Sequence, residues 1–160
     1  MDGRLELAKL LTQHQAAGTR LHTLLQQEFA ALRDRDVAAL EYLVSNKQQE
    51  YIALETLTQD LLGLLQRLDV PAQPADMLEH LRRLDPTRNL GLASLWEDVR
   101  QLAAQCQRQN LINGRIVIAS QHNVLRILSI LRGQPIDAAT YQSTPAKTAL
   151  AAYSQRLGVA

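Results

Sequence analysis

From Leu5 to Leu32 the apolar residues Leu7, Leu10, Ala17, Leu21, Leu24 and Ala31 recur at helical spacing, with Leu11, Leu25 and Leu32 widening the stripe. Such spacing places them on one face of a helix. The polar run Arg33-Asp34-Arg35-Asp36 interrupts the stripe, and Asp36 is placed to cap a second helix starting at Val37 and Ala38. That helix presents Val37, Leu40, Val44, Tyr51, Leu54, Leu61, Leu65 and Leu68. Val70-Pro71-Ala72-Gln73-Pro74 ends it, because proline lacks the backbone donor a helix interior needs. A short amphipathic piece follows, with Met77, Leu81 and Leu84 on one side and a stop at Asp85-Pro86.

The next segment carries the longest pattern of the chain. Leu92, Trp96, Val99, Ala103, Cys106, Asn110, Asn113, Val117, Ser120, Val124, Ile127 and Leu131 alternate steps of four and three, which is a heptad seam. A helix of that extent is roughly 60 Å long, against roughly 45 Å for each of the first two. One end must therefore overhang, or be covered by the short bridging piece. Asn113-Gly114 followed by Ile116-Val117-Ile118 would also suit a β-hairpin. No second β-like run lies nearby to pair with it, and the seam passes straight through, so the helix is expected to continue past Gly114.

Gly133-Gln134-Pro135 closes the third long helix, and small and polar residues follow. Ser143-Thr144-Pro145 reads as a cap and first turn, after which Ala146, Leu150, Tyr153 and Leu157 repeat at helical spacing. At about a dozen residues that last helix is near the length where isolated helices are marginal. The expectation is one all-α domain: an antiparallel bundle of three long helices and a short bridging helix over residues 1–133, with a mobile C-terminal helical arm at 134–160. Ile136, Tyr141, Leu150, Tyr153 and Leu157 are too apolar for a solvated tail. Either the arm folds back as a fourth helix or it wraps a partner.

Polar residues break the apolar faces at Glu28, Lys47, Asn110, Asn113 and Ser120. Two readings stand: polar layers that fix helix register at a cost in stability, or the lining of a groove kept for a partner helix.

Composition narrows the class. Over 160 residues, 46% apolar and 21% charged residues describe a globular chain, and Leu, Ala and Gln dominate over only 7 Gly and 5 Pro. The formal net charge of +1 supplies no bulk field for nucleic acid or an anionic membrane. A single Cys106 cannot form an internal disulfide, and neither a charged leader nor a long apolar span is visible, so a cytoplasmic protein without membrane insertion is expected.

Catalytic chemistry finds little material. His14, His22, His80 and His122 lack zinc-helix spacing, no glycine-rich phosphate loop follows a strand, and Cys106 falls on the helical seam. No catalytic, metal or cofactor residue is assigned. The nearest enzyme-like pattern is His14-Gln15-Ala16-Ala17-Gly18-Thr19, a partial match to histidine phosphotransfer bundles, in which an exposed His is followed by a Gly that leaves room for phosphate. Ala17 stands where such domains place a lysine, and the plainer reading is that His14 meets a neighbouring helix.

A long N-terminal helical hairpin, then Asn110-Leu111-Ile112-Asn113-Gly114-Arg115-Ile116-Val117 in a long helix, then a segment bearing Tyr141, resembles the FlgN flagellar export chaperones. Asn110, Asn113 and Gly114 carry the motif. The resemblance implies a bacterial cytoplasmic binding protein that holds the aggregation-prone terminal helices of hook-filament junction proteins before flagellar type III export. It further implies that Tyr141 serves docking on the export gate, while Ile136, Leu150, Tyr153 and Leu157 are the expected client contacts.

Overall fold

The computed structural model describes residues 3–70 and 74–132. Four helices follow one another: α1 (Gly3–Asp34), α2 (Val37–Arg67), α3 (Pro74–Leu84) and α4 (Leu92–Arg132). The α1–α2 corner is built as the polar run predicts. The backbone N–H of Asp36 reaches back to the Ala31 carbonyl across Arg35, which sits at φ 57°, and the Asp36 carboxylate accepts from the Ala39 N–H at 3.0 Å. This closes one helix and caps the next within two residues. The end of α2 repeats the device: Asp69 adopts φ 54° and the Val70 N–H returns to the Leu65 carbonyl.

The long helices run up, down and up. Arg67 pairs with Glu6, and Lys47 with Glu28, so α2 descends against α1. Gln15 meets Asp98 and Asn113 meets Leu25, so α4 rises parallel to α1. Both α2 and α4 pack chiefly on α1, which is the central helix of the bundle. Its stripe of Leu7, Leu10, Leu11, Ala17, Leu21 and Leu25 is buried between Leu54, Leu61, Leu64 and Leu65 of α2 and Leu92, Trp96, Val99 and Ala103 of α4. The short α3 packs on the start of α4 through Met77 and Leu81. Asp85 orders the following loop, its carboxylate accepting from the Leu90 N–H at 3.1 Å.

Three expectations about burial need correction. On α2, Val37 and Val44 are exposed and Leu43 is buried in their place, because the helix turns its Leu43–Lys47 edge toward α1. On α4, the seam is buried only from Leu92 to Asn113; Val117, Ser120, Val124, Ile127 and Leu131 are exposed. Asn110 is half-buried rather than interior. The helix itself does continue through Gly114, with no strand among the described residues. The overhang expected from the length mismatch is the C-terminal end of α4, while the bridging α3 covers the opposite end.

Candidate functional site

The polar residues that interrupt the three apolar faces meet at one level of the bundle. Lys47 Nζ donates to Glu28 Oε1 at 2.5 Å, and Asn113 Nδ2 donates to Glu28 Oε2 at 2.7 Å and to the Leu25 carbonyl at 2.8 Å. Gln109 Nε2 then donates to Asn113 Oδ1 at 3.0 Å, so the Asn113 amide uses both donors and its acceptor. With Asn113 only 2% exposed, this arrangement joins α1, α2 and α4 at a single register. Glu28, Lys47 and Asn113 are thus bonded to one another inside the bundle. Beside it the Tyr51 hydroxyl is buried, and desolvation together with the nearby Glu28 carboxylate raises its pKa above the ordinary phenol value.

Above that layer the bundle loses its third wall. Past Asn113 no residue of α4 is buried, although α4 runs on for several turns to Arg132. Val124 is 56% exposed, Ile127 57% and Leu131 77%, and the half-turns between them expose Leu125, Leu128 and Ile130 as well. The apolar positions 117, 124, 127 and 131 keep the spacing that lower down receives α1, so the heptad pattern outlasts its partner. Singly exposed leucines are ordinary, but an aligned set over about 20 Å is the mark of a docking face. Leu111, Ile112, Leu125, Leu128 and Ile130 do not stand out from the seam pattern alone. Their signal in the sequence is that residues 111–131 are apolar almost all round the helix, whereas a helix lying on a bundle is apolar on one side.

The enzyme-like pattern resolves into packing. His14 is 1% exposed; its Nδ1 donates to the Leu10 carbonyl at 2.9 Å, and its Nε2 lies 3.4 Å from Thr58 Oγ1 of α2. Burial lowers its pKa against a smaller opposing pull from the Leu10 carbonyl and Asp60. An imidazole enclosed in this way is closed to a phosphodonor, so the phosphotransfer alternative through His14 is overturned. Gly18 has a structural reason too, because a Cβ there would stand 2.8 Å from Leu102 Cδ2, where α4 crosses α1 closely. Cys106 packs at the same crossing, its thiol donating to the Gly18 carbonyl at 3.5 Å, and burial pushes its pKa up to about 12.

The residues assigned to client contact and gate docking, Ile136, Tyr141, Leu150, Tyr153 and Leu157, lie outside the described residues, as does the helix stop at Gly133. Among the described residues, no group of His, Cys, Asp and Glu could hold a metal ion, and no helix is long and apolar enough to cross a membrane. The model of one protein family, described as FlgN protein, matches residues 1–148. No curated protein and no solved structure matches the chain.

Proposed function

The chain belongs to the FlgN family of flagellar export chaperones, and on that premise we propose that it holds the terminal helices of hook-filament junction proteins in the cytoplasm before their export. The supporting observation is the seam of α4, whose apolar repeat continues beyond Asn113 while its burial stops there. A client helix with a matching repeat gains from this face what α1 gains lower down, removal of apolar side chains from water. The action is binding, in keeping with a family of chaperones rather than of known enzymes.

In this reading Leu150, Tyr153 and Leu157, with Ile136, add client contacts from the C-terminal segment, and Tyr141 serves docking on the export gate. Each buried large side chain contributes about 1.5–3 kcal/mol, offset in part by the side-chain freedom lost on binding. The net affinity is then modest, as release at the gate requires. Calorimetric titration with the C-terminal helix of a hook-filament junction protein tests this. Replacing Leu150, Tyr153 and Leu157 together by Ala should weaken client binding, whereas Tyr141→Ala should spare it and weaken gate docking. Absence of binding to any junction-protein helix would sink the reading, and a large loss from Tyr141→Ala would reverse the assignment of the two parts of the segment.

A further inference from the structure

We propose that the exposed face of α4 beyond Asn113 takes an amphipathic helix whose polar side carries carboxylates, in preference to a second copy of this chain. The inference rests on the chaperone reading and adds the chemistry of the helix that is bound.

Shape sets the first requirement. Val117, Val124, Ile127 and Leu131 continue the steps of four and three that lower down place Trp96, Val99, Ala103 and Cys106 in the core. A surface with that repeat is complementary to another helix of the same repeat, over about 21 Å or four turns. Among the described residues α2 packs chiefly on α1, and no residue of α4 past Asn113 is buried.

Charge sets the second. All but one of the 16 Asp and Glu residues lie at or before Asp98, the exception being Asp137. From there to its end α4 carries Arg100, Arg108, Arg115, Arg126 and Arg132 and no carboxylate. The net charge of +1 thus conceals an acidic body and a basic overhang. The same stretch of a second copy would bring a helix with the same arginines and no carboxylate. The segment after Arg132 is of like sign as well, with Lys147 and Arg156 against Asp137. An acidic amphipathic helix is the occupant whose field is opposite.

At 100° per residue Arg108, Arg115 and Arg126 fall on one line, turned away from Val117 and Leu128. The attraction therefore acts across about a helix diameter instead of through contact pairs. Its effect is largest at low ionic strength, where the screening length is about 30 Å at 0.01 M against about 8 Å at 0.15 M.

The test titrates the full chain with two synthetic helical peptides that share one Leu/Val heptad face and differ in polar face, Glu in one and Lys in the other. The Glu peptide should bind about tenfold tighter at 0.01 M salt, narrowing to about two- to threefold at 0.15 M. The variant carrying Arg115→Glu and Arg126→Glu, both on the side away from the apolar stripe, should lose that preference while still binding. Equal affinities at low salt, or tighter binding of the Lys peptide, overturns the charge assignment and leaves the chaperone reading standing. Failure of both peptides to bind overturns the face as a docking site. A client-free chain that sediments as a dimer, and becomes a monomer on Val124→Gln with Leu128→Gln, assigns the face to a second copy instead.

Discussion

Asn113 of α4 grips Glu28 of α1 at 2.7 Å with one donor hydrogen while the other serves the Leu25 carbonyl at 2.8 Å, and Lys47 of α2 holds the opposite oxygen of the same carboxylate. A buried carboxylate so bound has one position that satisfies all three helices. Sliding α4 by a turn would leave the Asn113 amide and one carboxylate oxygen unpaired in the interior.

Breaking this layer should therefore cost more than replacing it. Lys47→Met leaves Glu28 buried without its cation and should destabilise the fold by about 3–5 kcal/mol, and Asn113→Ala by about 1.5–3 kcal/mol. Replacing Glu28, Lys47 and Asn113 together by Leu should recover much of that loss, since apolar substitutes need no partners. Urea unfolding of the three variants checks the order; a triple variant less stable than Lys47→Met would show that packing, not charge satisfaction, governs the layer.

Binding and folding should separate on α4. Val124→Gln with Leu128→Gln changes exposed positions and should move bundle stability by no more than about 0.5 kcal/mol. Client-helix affinity should fall by about tenfold to a hundredfold, because two apolar contacts are lost from the interface. Thermal melts and calorimetry on the same preparation read both, and a variant that melts early without losing affinity would contradict the division at Asn113.

Acid should weaken the bundle through His14. Its folded-state pKa lies below the ordinary imidazole value of 6.5 because burial disfavours the charged ring. The unfolded chain then takes up this proton first as pH falls, so the stability contribution is complete above about pH 6.5 and declines below it until the folded pKa is reached. His14→Gln should flatten this part of the profile. Urea midpoints from pH 8 to pH 5 decide the matter, and parallel declines in the two proteins would exclude His14 as the source.

Cys106 should report unfolding. A buried thiol with its pKa pushed up to about 12 has almost no thiolate at neutral pH, and thiolate is the reactive species. Iodoacetamide should label the native chain many times more slowly than the urea-unfolded chain. Equal rates would mean that the α1–α4 crossing opens far more readily than its packing implies.

Much of this was legible from spacing alone. The four helices, the Asp36 cap and the passage of α4 through Gly114 follow from local rules that the tertiary fold does not override. What spacing could not supply was where a partner stops. Val99 and Ile127 occupy equivalent seam positions, yet one is buried and the other exposed, because burial depends on how far α1 extends alongside and not on the periodicity of α4. On α2 a similar gap appears: Val44 and Leu43 are adjacent, and only the tilt of the helix against α1 decides which turns inward. For Glu28, Lys47 and Asn113 the sequence gives the residue types without their convergence, which needs the up-down-up threading that sets them at one height.

The way α4 outruns its neighbours also bears on how such a chain can diversify. Substitutions between Leu92 and Asn113 are constrained by close packing, and most would be removed through misfolding before their effect on recognition could matter. None of the positions from Val117 to Arg132 is buried, so changes there can alter which helix is recognised without endangering the scaffold. A lineage that changes its export cargo could then drift at one end of a single helix while the other end is held nearly fixed.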